Sequence, residues 1–109
     1  MAIHEVSQGL QYQGPDERLV YTITTTSWEA APTSPTVVAY DENGHVDVTS
    51  TGGATGSGVF PSNSASASGD VITLDLLRDL VAGHTYRIEV KFTVSTNIWE
   101  CFFRVRCEG

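Results

Sequence analysis

The chain has 109 residues, 40% of them hydrophobic, and a formal net charge of −7 from 6 Lys+Arg against 13 Asp+Glu. That apolar content excludes wholesale disorder. The length suits one domain near the common size of roughly 100–150 residues and leaves little core from which to build a large catalytic cleft. The shortage of cations argues against nucleic-acid binding, which needs a cationic face to displace counterions, and against an anionic membrane surface.

The first residues, Met1-Ala2-Ile3-His4-Glu5-Val6, lack the basic and apolar regions of a secretory signal. No apolar run is long enough to span a bilayer. Residues 1–17 read as an N-terminal arm, because Gly9, Gln11, Gln13, Gly14, Pro15 and Asp16 interrupt any periodic face. Ile3, Val6, Leu10 and Tyr12 are scattered apolar anchors along it and are expected to reach onto a partner. Residues 18–109 read as a single domain. Over 18–26, Leu19, Tyr21 and Ile23 alternate with Val20, Thr22 and Thr24, which predicts a strand. Trp28 follows with the opposite parity, so a bulge is expected near Thr25–Ser27. Ala30 to Pro35 reads as a loop, because Pro32 and Pro35 cannot donate to a ladder. Thr36–Tyr40 and His45–Ser50 read as a hairpin turning through Asp41-Glu42-Asn43-Gly44, where Asn-Gly tolerates φ > 0.

Residues 49–69 change character: 17 of these 21 residues are Gly, Ser, Thr or Ala, and none is charged. Such a stretch cannot offset its own ordering entropy by burying apolar area, so it reads as a loop. Val59-Phe60-Pro61 in its middle looks like an anchor, to the domain's edge or to a neighbour. Beyond it, Ile72, Leu74 and Leu76 predict a strand. Tyr86, Ile88, Val90, Phe92 and Val94 predict another, and Trp99, Cys101, Phe103, Val105 and Cys107 a third. The last two form an antiparallel hairpin whose inward sets must face one core, so the loop has an even number of residues. With Thr96-Asn97 as the turn, Val94 opposes Trp99, Phe92 opposes Cys101 and Glu89 opposes Arg104. Leu76 to Val81 could make one helical turn.

Short strands with alternating faces point to an all-β, antiparallel two-sheet sandwich. Leu80-Val81-Ala82-Gly83-His84-Thr85-Tyr86 has the L-x-x-G-x-x-Y spacing of a tyrosine corner, with Leu80, Gly83 and Tyr86 in structural roles. This part of the chain resembles immunoglobulin-like and fibronectin type III-like domains. Cys101 and Cys107 lie six residues apart, about 20 Å on a strand at ~3.3 Å per residue, too far for a disulfide. They read as buried free thiols.

Chemistry is sparse. His4, His45 and His84 share no ligand spacing, so no zinc site is expected. Asp41 to Asp47 lacks the alternating ligands and terminal Glu of a calcium loop. No nucleophile-elbow, Walker or dinucleotide motif appears, and Asp75 and Asp79 do not share a catalytic face. No catalytic, cofactor or metal residue is expected, and the chain does not read as an enzyme. What remains is surface: Trp28, Phe60 and Phe102 are large residues that do not all fit inside. Phe102 lies on the polar face of its strand, so it should be exposed or covered by a partner. Core packing is the competing reading for Trp28 and Trp99.

Residues Leu19 to Gly109 also resemble small virion accessory proteins of tailed bacteriophages, of the fibre–tail adaptor or decoration type. The resemblance rests on Thr26-Ser27-Trp28, the Gly/Ser/Thr-rich middle, Gly69-Asp70-Val71-Ile72, the Leu80–Tyr86 corner and a last strand ending in Cys107. It implies a non-enzymatic virion structural protein, assembled in the host cytoplasm, whose partners are other virion proteins and copies of itself in a symmetric assembly, with no nucleic acid or membrane. The alternative is a carbohydrate- or receptor-binding β-sandwich module of a bacterial surface protein, which should keep two or more aromatics coplanar and exposed.

Overall fold

A computed structural model describes residues 3–25 and 31–108, the side chains of 3–9 excepted. Among the described residues there are eight strands and no helix: β1 (Ile3–Gln13), β2 (Leu19–Thr24), β3 (Thr33–Asp41), β4 (Val46–Asp47), β5 (Ala65–Ser68), β6 (Val71–Leu77), β7 (Thr85–Val94) and β8 (Asn97–Cys107). They form a five-stranded sheet, β1-β8-β7-β3-β4, and a three-stranded sheet, β2-β6-β5. Every pairing is antiparallel except β1 with β8. The inward faces share one core that runs from Ile23 and Ile72 through Val37, Ile88, Val90 and Phe92 to Phe103 and Val105. The architecture is therefore an all-β, two-sheet sandwich.

Residues 3–13, read from the sequence as part of an arm, run along β8 as a strand. Their lack of alternation has two causes. A sheet edge is held by backbone bonds, which carry no sequence signature, and the β1–β8 register shifts between Glu5 and Leu10. Gln13, at the end of β1, is 1% exposed. Its Nε2 donates to the carbonyls of Leu77 (2.9 Å) and Glu17 (3.0 Å), and its Oε1 accepts from the Tyr21 hydroxyl (2.9 Å). Leu77 and Tyr21 belong to the other sheet, so one side-chain amide ties the two layers together. Burial, and then the nearby Glu17 carboxylate, push the Tyr21 hydroxyl up to about 12.

The β7–β8 hairpin keeps the expected parity but slips by two residues. Val94 opposes Asn97, Phe92 opposes Trp99, Val90 opposes Cys101 and Tyr86 opposes Val105. The two-residue loop is Ser95-Thr96, with Ser95 at φ 54°, rather than Thr96-Asn97. A slip of two leaves every side chain on its own face, so the hydrophobic pattern cannot resolve it. On the outer face Lys91 now opposes Glu100, with their charges 3.6 Å apart, while Arg87 opposes Arg104 and Glu89 opposes Phe102 instead of Arg104.

Other boundaries also moved. β3 begins at Thr33, and Pro35 sits inside its register shift between Thr33 and Thr36, where a missing N–H costs no ladder bond. In the β3–β4 turn the positive φ values fall on Gly44 and His45, and Asn43 is not among them. At the end of β6 the buried residue is Leu77 rather than Leu76, because the β2–β6 register shifts between Val20 and Thr22.

The Gly/Ser-rich stretch is sewn down rather than loose. Val59 and Phe60 are buried in this domain's core at 0% and 2% exposure. The Val59 and Phe60 amides donate to the carbonyls of Val48 and Thr49, and Arg78 donates to the Val59 carbonyl. Gly58, at φ +89°, lies so close to Ser50 that a Cβ would fall 2.5 Å from its carbonyl carbon. The last part of the stretch is β5. At the corner, the Tyr86 hydroxyl accepts the Val81 N–H at 2.8 Å, Gly83 takes φ +86°, and Leu80 and Tyr86 are 1% and 0% exposed.

Candidate interface

The strongest surface feature is the outer face of the five-stranded sheet. Alternation sends Ile88, Val90 and Phe92 of β7, and Cys101, Phe103 and Val105 of β8, into the core. The residues between them, Arg87, Glu89, Lys91, Glu100, Phe102, Arg104 and Arg106, therefore face out. Four of the chain's six cations lie here. Each meets a carboxylate: Arg87–Glu89 at 2.8 Å, Lys91–Glu100 at 3.6 Å, Arg104–Glu42 at 3.1 Å and Arg106–Glu108 at 3.6 Å. Exposed pairs like these contribute little to stability. They fix the direction in which long side chains lie.

Phe102 packs against two guanidinium groups. Arg87 Cζ stands 3.8 Å from its ring centroid and Arg104 Cζ 5.3 Å. Beside it the parallel β1–β8 register sets Leu10 next to Arg104 and Tyr12 next to Arg106. Leu10 is 43% exposed and Tyr12 61%. An exposed aromatic, an exposed leucine and a phenylalanine packed against arginine thus form one strip. Aromatics and arginine are the residues enriched where proteins bind one another.

Across the same face Tyr40 of β3 stacks on His45, with centroids 4.9 Å apart and planes 2° from parallel. A shallow groove beside Tyr40 is lined by Thr36, Val38, Glu89, Lys91 and Glu100. At the end of the sheet, His84 Nδ1 lies 2.8 Å from Asp41 Oδ2, and Asn43 Nδ2 lies 3.3 Å from His84 Nε2. This cluster joins the end of β3 to the corner loop.

The expected interface residues divide. Leu10, Tyr12 and Phe102 meet on one face. Ile3, paired with Glu100, and Val6, within the register shift, belong to β1, and their side chains lie outside the described atoms, as Trp28 lies outside the described residues. Phe60 fills the core beside Val59 instead of offering a surface, because the backbone bonds from Val59 and Phe60 to Val48 and Thr49 hold this segment against the domain. Trp99 is partly buried against the core. Sequence reasoning missed Arg87, Arg104 and the Tyr40–His45 stack, since partners across strands depend on a register that parity alone leaves open. Cys101 and Cys107 are buried and unbridged. Burial pushes the Cys101 thiol up to about 12, which makes it a poor nucleophile. Among the described residues no group of three or more His, Cys, Asp or Glu is placed to hold a metal ion.

No protein-family profile matches the chain, and no curated protein resembles it significantly in sequence.

Proposed function

We propose that the chain is a non-enzymatic structural protein of a bacteriophage virion, a tail- or neck-fibre adaptor or capsid decoration component that acts through subunit contacts. The observation that carries this reading is the strip of Leu10, Tyr12, Phe102, Arg87 and Arg104 on the outer face of the five-stranded sheet. It has the composition of a protein-binding surface. The fold reading is finer than a generic sandwich: we take it as immunoglobulin-like/fibronectin type III-like. The sheet order, the parallel first strand beside the last, and the Tyr86–Val81 bond at the corner support that type. Partners in this reading are other virion proteins and further copies of the chain, joined during assembly in the host cytoplasm.

The test is incorporation into particles. Tyr12→Ala with Arg104→Glu should leave the thermal melt close to that of the native chain and remove the protein from purified virions. Full incorporation of that folded variant, or absence of the native chain from virions, overturns the reading. A second reading, a glycan- or receptor-binding module, draws on the coplanar Tyr40–His45 pair beside its groove. Chemical-shift changes at Tyr40 and His45 on titration with oligosaccharides, abolished by Tyr40→Ala, would favour it.

A further inference from the structure

The sandwich has four sheet edges among the described residues: β1, β4, β2 and β5. Open strand edges invite pairing, and proteins guard them with bulges, prolines, charges or brevity. Both β1 and β2 are interrupted by a register shift, and β4 is two residues long. β5 has four residues, an uninterrupted register with β6, and neither proline nor charge. The Asp75 amide donates to the Ser64 carbonyl. Antiparallel alternation therefore turns the backbone groups of Ser64, Ser66 and Ser68 toward β6, and those of Ala65 and Ala67 toward the open side. Among the described residues no strand hydrogen-bonds to that side.

We infer that β5 pairs with β5 of a second copy, antiparallel about a two-fold axis at Ser66, joining two three-stranded sheets into one of six strands. The inference rests on the reading of the chain as an assembly component and names one contact within it. Three observations point to a second copy as the occupant. Residues 64–68 read Ser-Ala-Ser-Ala-Ser, identical in both directions about Ser66, so a two-fold antiparallel pairing there sets alanine against alanine and serine against serine, with no bulky or charged side chain in the register. In that register Ala65 exchanges two backbone hydrogen bonds with the partner's Ala67, and Ala67 exchanges two with the partner's Ala65. Ser66 then meets the partner's Ser66 at the close, non-hydrogen-bonded position, Cα atoms about 4.5 Å apart, which small side chains fill without a clash.

The third observation is charge. Two copies of a chain of net charge −7 repel wherever their acidic surfaces meet. Residues 49–69 and β2 carry no charge, and β6 carries only Asp75. Both Asp75 carboxylate oxygens already accept backbone N–H groups, from Ser62 and Leu76. This edge is where two copies approach with the least repulsion.

The test uses the full chain. Sedimentation from micromolar to millimolar concentration should show a monomer–dimer equilibrium. Ser66→Lys, which sets like charges face to face, should weaken it at least about tenfold. Ser66 is exposed, so the variant should fold, and a thermal melt checks this. Ser66→Cys should give a disulfide-linked dimer on mild oxidation, whereas Ser95→Cys in the β7–β8 turn should not. The native thiols are buried and do not compete. A chain that stays monomeric, with no more Ser66→Cys dimer than the Ser95→Cys control, overturns the pairing. So does a dimer insensitive to Ser66→Lys, which would place self-contact on another face. Neither result touches the assembly reading, which stands or falls on incorporation into particles.

Discussion

Replacing Gln13 with leucine should destabilise the protein far more than its place near the N-terminus suggests. The side chain is 1% exposed and makes three hydrogen bonds, to Leu77 (2.9 Å), Glu17 (3.0 Å) and Tyr21 (2.9 Å). Leucine has similar bulk, so the change removes polar contacts more than volume. The bond to the buried Leu77 carbonyl dominates, since losing a partner inside the core costs about 1–3 kcal/mol. The other two groups are half-buried and can regain water, at roughly 0.5–1 kcal/mol each. The sum is about 2–5 kcal/mol, against a total stability of about 5–15 kcal/mol for a domain. Equilibrium urea denaturation should show the midpoint falling with the slope unchanged. Tyr21→Phe alone should cost about 1 kcal/mol. The double variant should cost less than the two singles together, because the bond they share is lost once. A Gln13→Leu variant within about 0.5 kcal/mol of the native chain, or strict additivity with Tyr21→Phe, would refute the view that this amide ties the sheets.

Two glycines with positive φ should separate backbone strain from steric exclusion. Gly83→Ala meets nothing within 4 Å at φ +86°, so it should cost only the left-handed conformation, about 1–2 kcal/mol. Gly58→Ala adds a clash with Ser50 backbone at 2.5 Å and should lower the melting temperature further than Gly83→Ala does. Tyr86→Phe removes the acceptor of the Val81 N–H and should cost about 1–3 kcal/mol in urea unfolding. Stability should also fall in alkali. Cys101, raised from 9.0 to about 12, and Tyr21, raised from 10.0 to about 12, stay protonated in the folded chain while the unfolded chain ionises. The unfolded state then binds fewer protons, so unfolding free energy should decline from pH 9 toward 12. Cys101→Val should make the first part of that decline shallower in a pH series of denaturation curves.

Some of this architecture is legible in the sequence. Strict alternation in β7 and β8 determines which residues face the core, because a side-chain period of two allows only two assignments and one of them exposes Phe92, Phe103 and Val105. The spacing from Leu80 to Tyr86 announces the corner, since a glycine and a tyrosine at those offsets suit one local geometry. Composition likewise marked residues 49–69 as unable to order alone.

The tertiary structure decided what alternation cannot encode. A slip of two residues conserves both faces, so the cross-strand partners of Phe102 and Lys91, and with them the exposed strip, follow from the turn at Ser95-Thr96 and from neighbouring strands. Residues 3–13 become a strand only because β8 offers an edge whose backbone groups need partners. Phe60 reads as an anchor to the domain's edge or to a neighbour, and the core between the sheets takes it in. Periodicity reports the environment along one strand. Register, edge pairing and the fate of an isolated aromatic depend on segments distant in sequence, and there only the assembled sandwich decides.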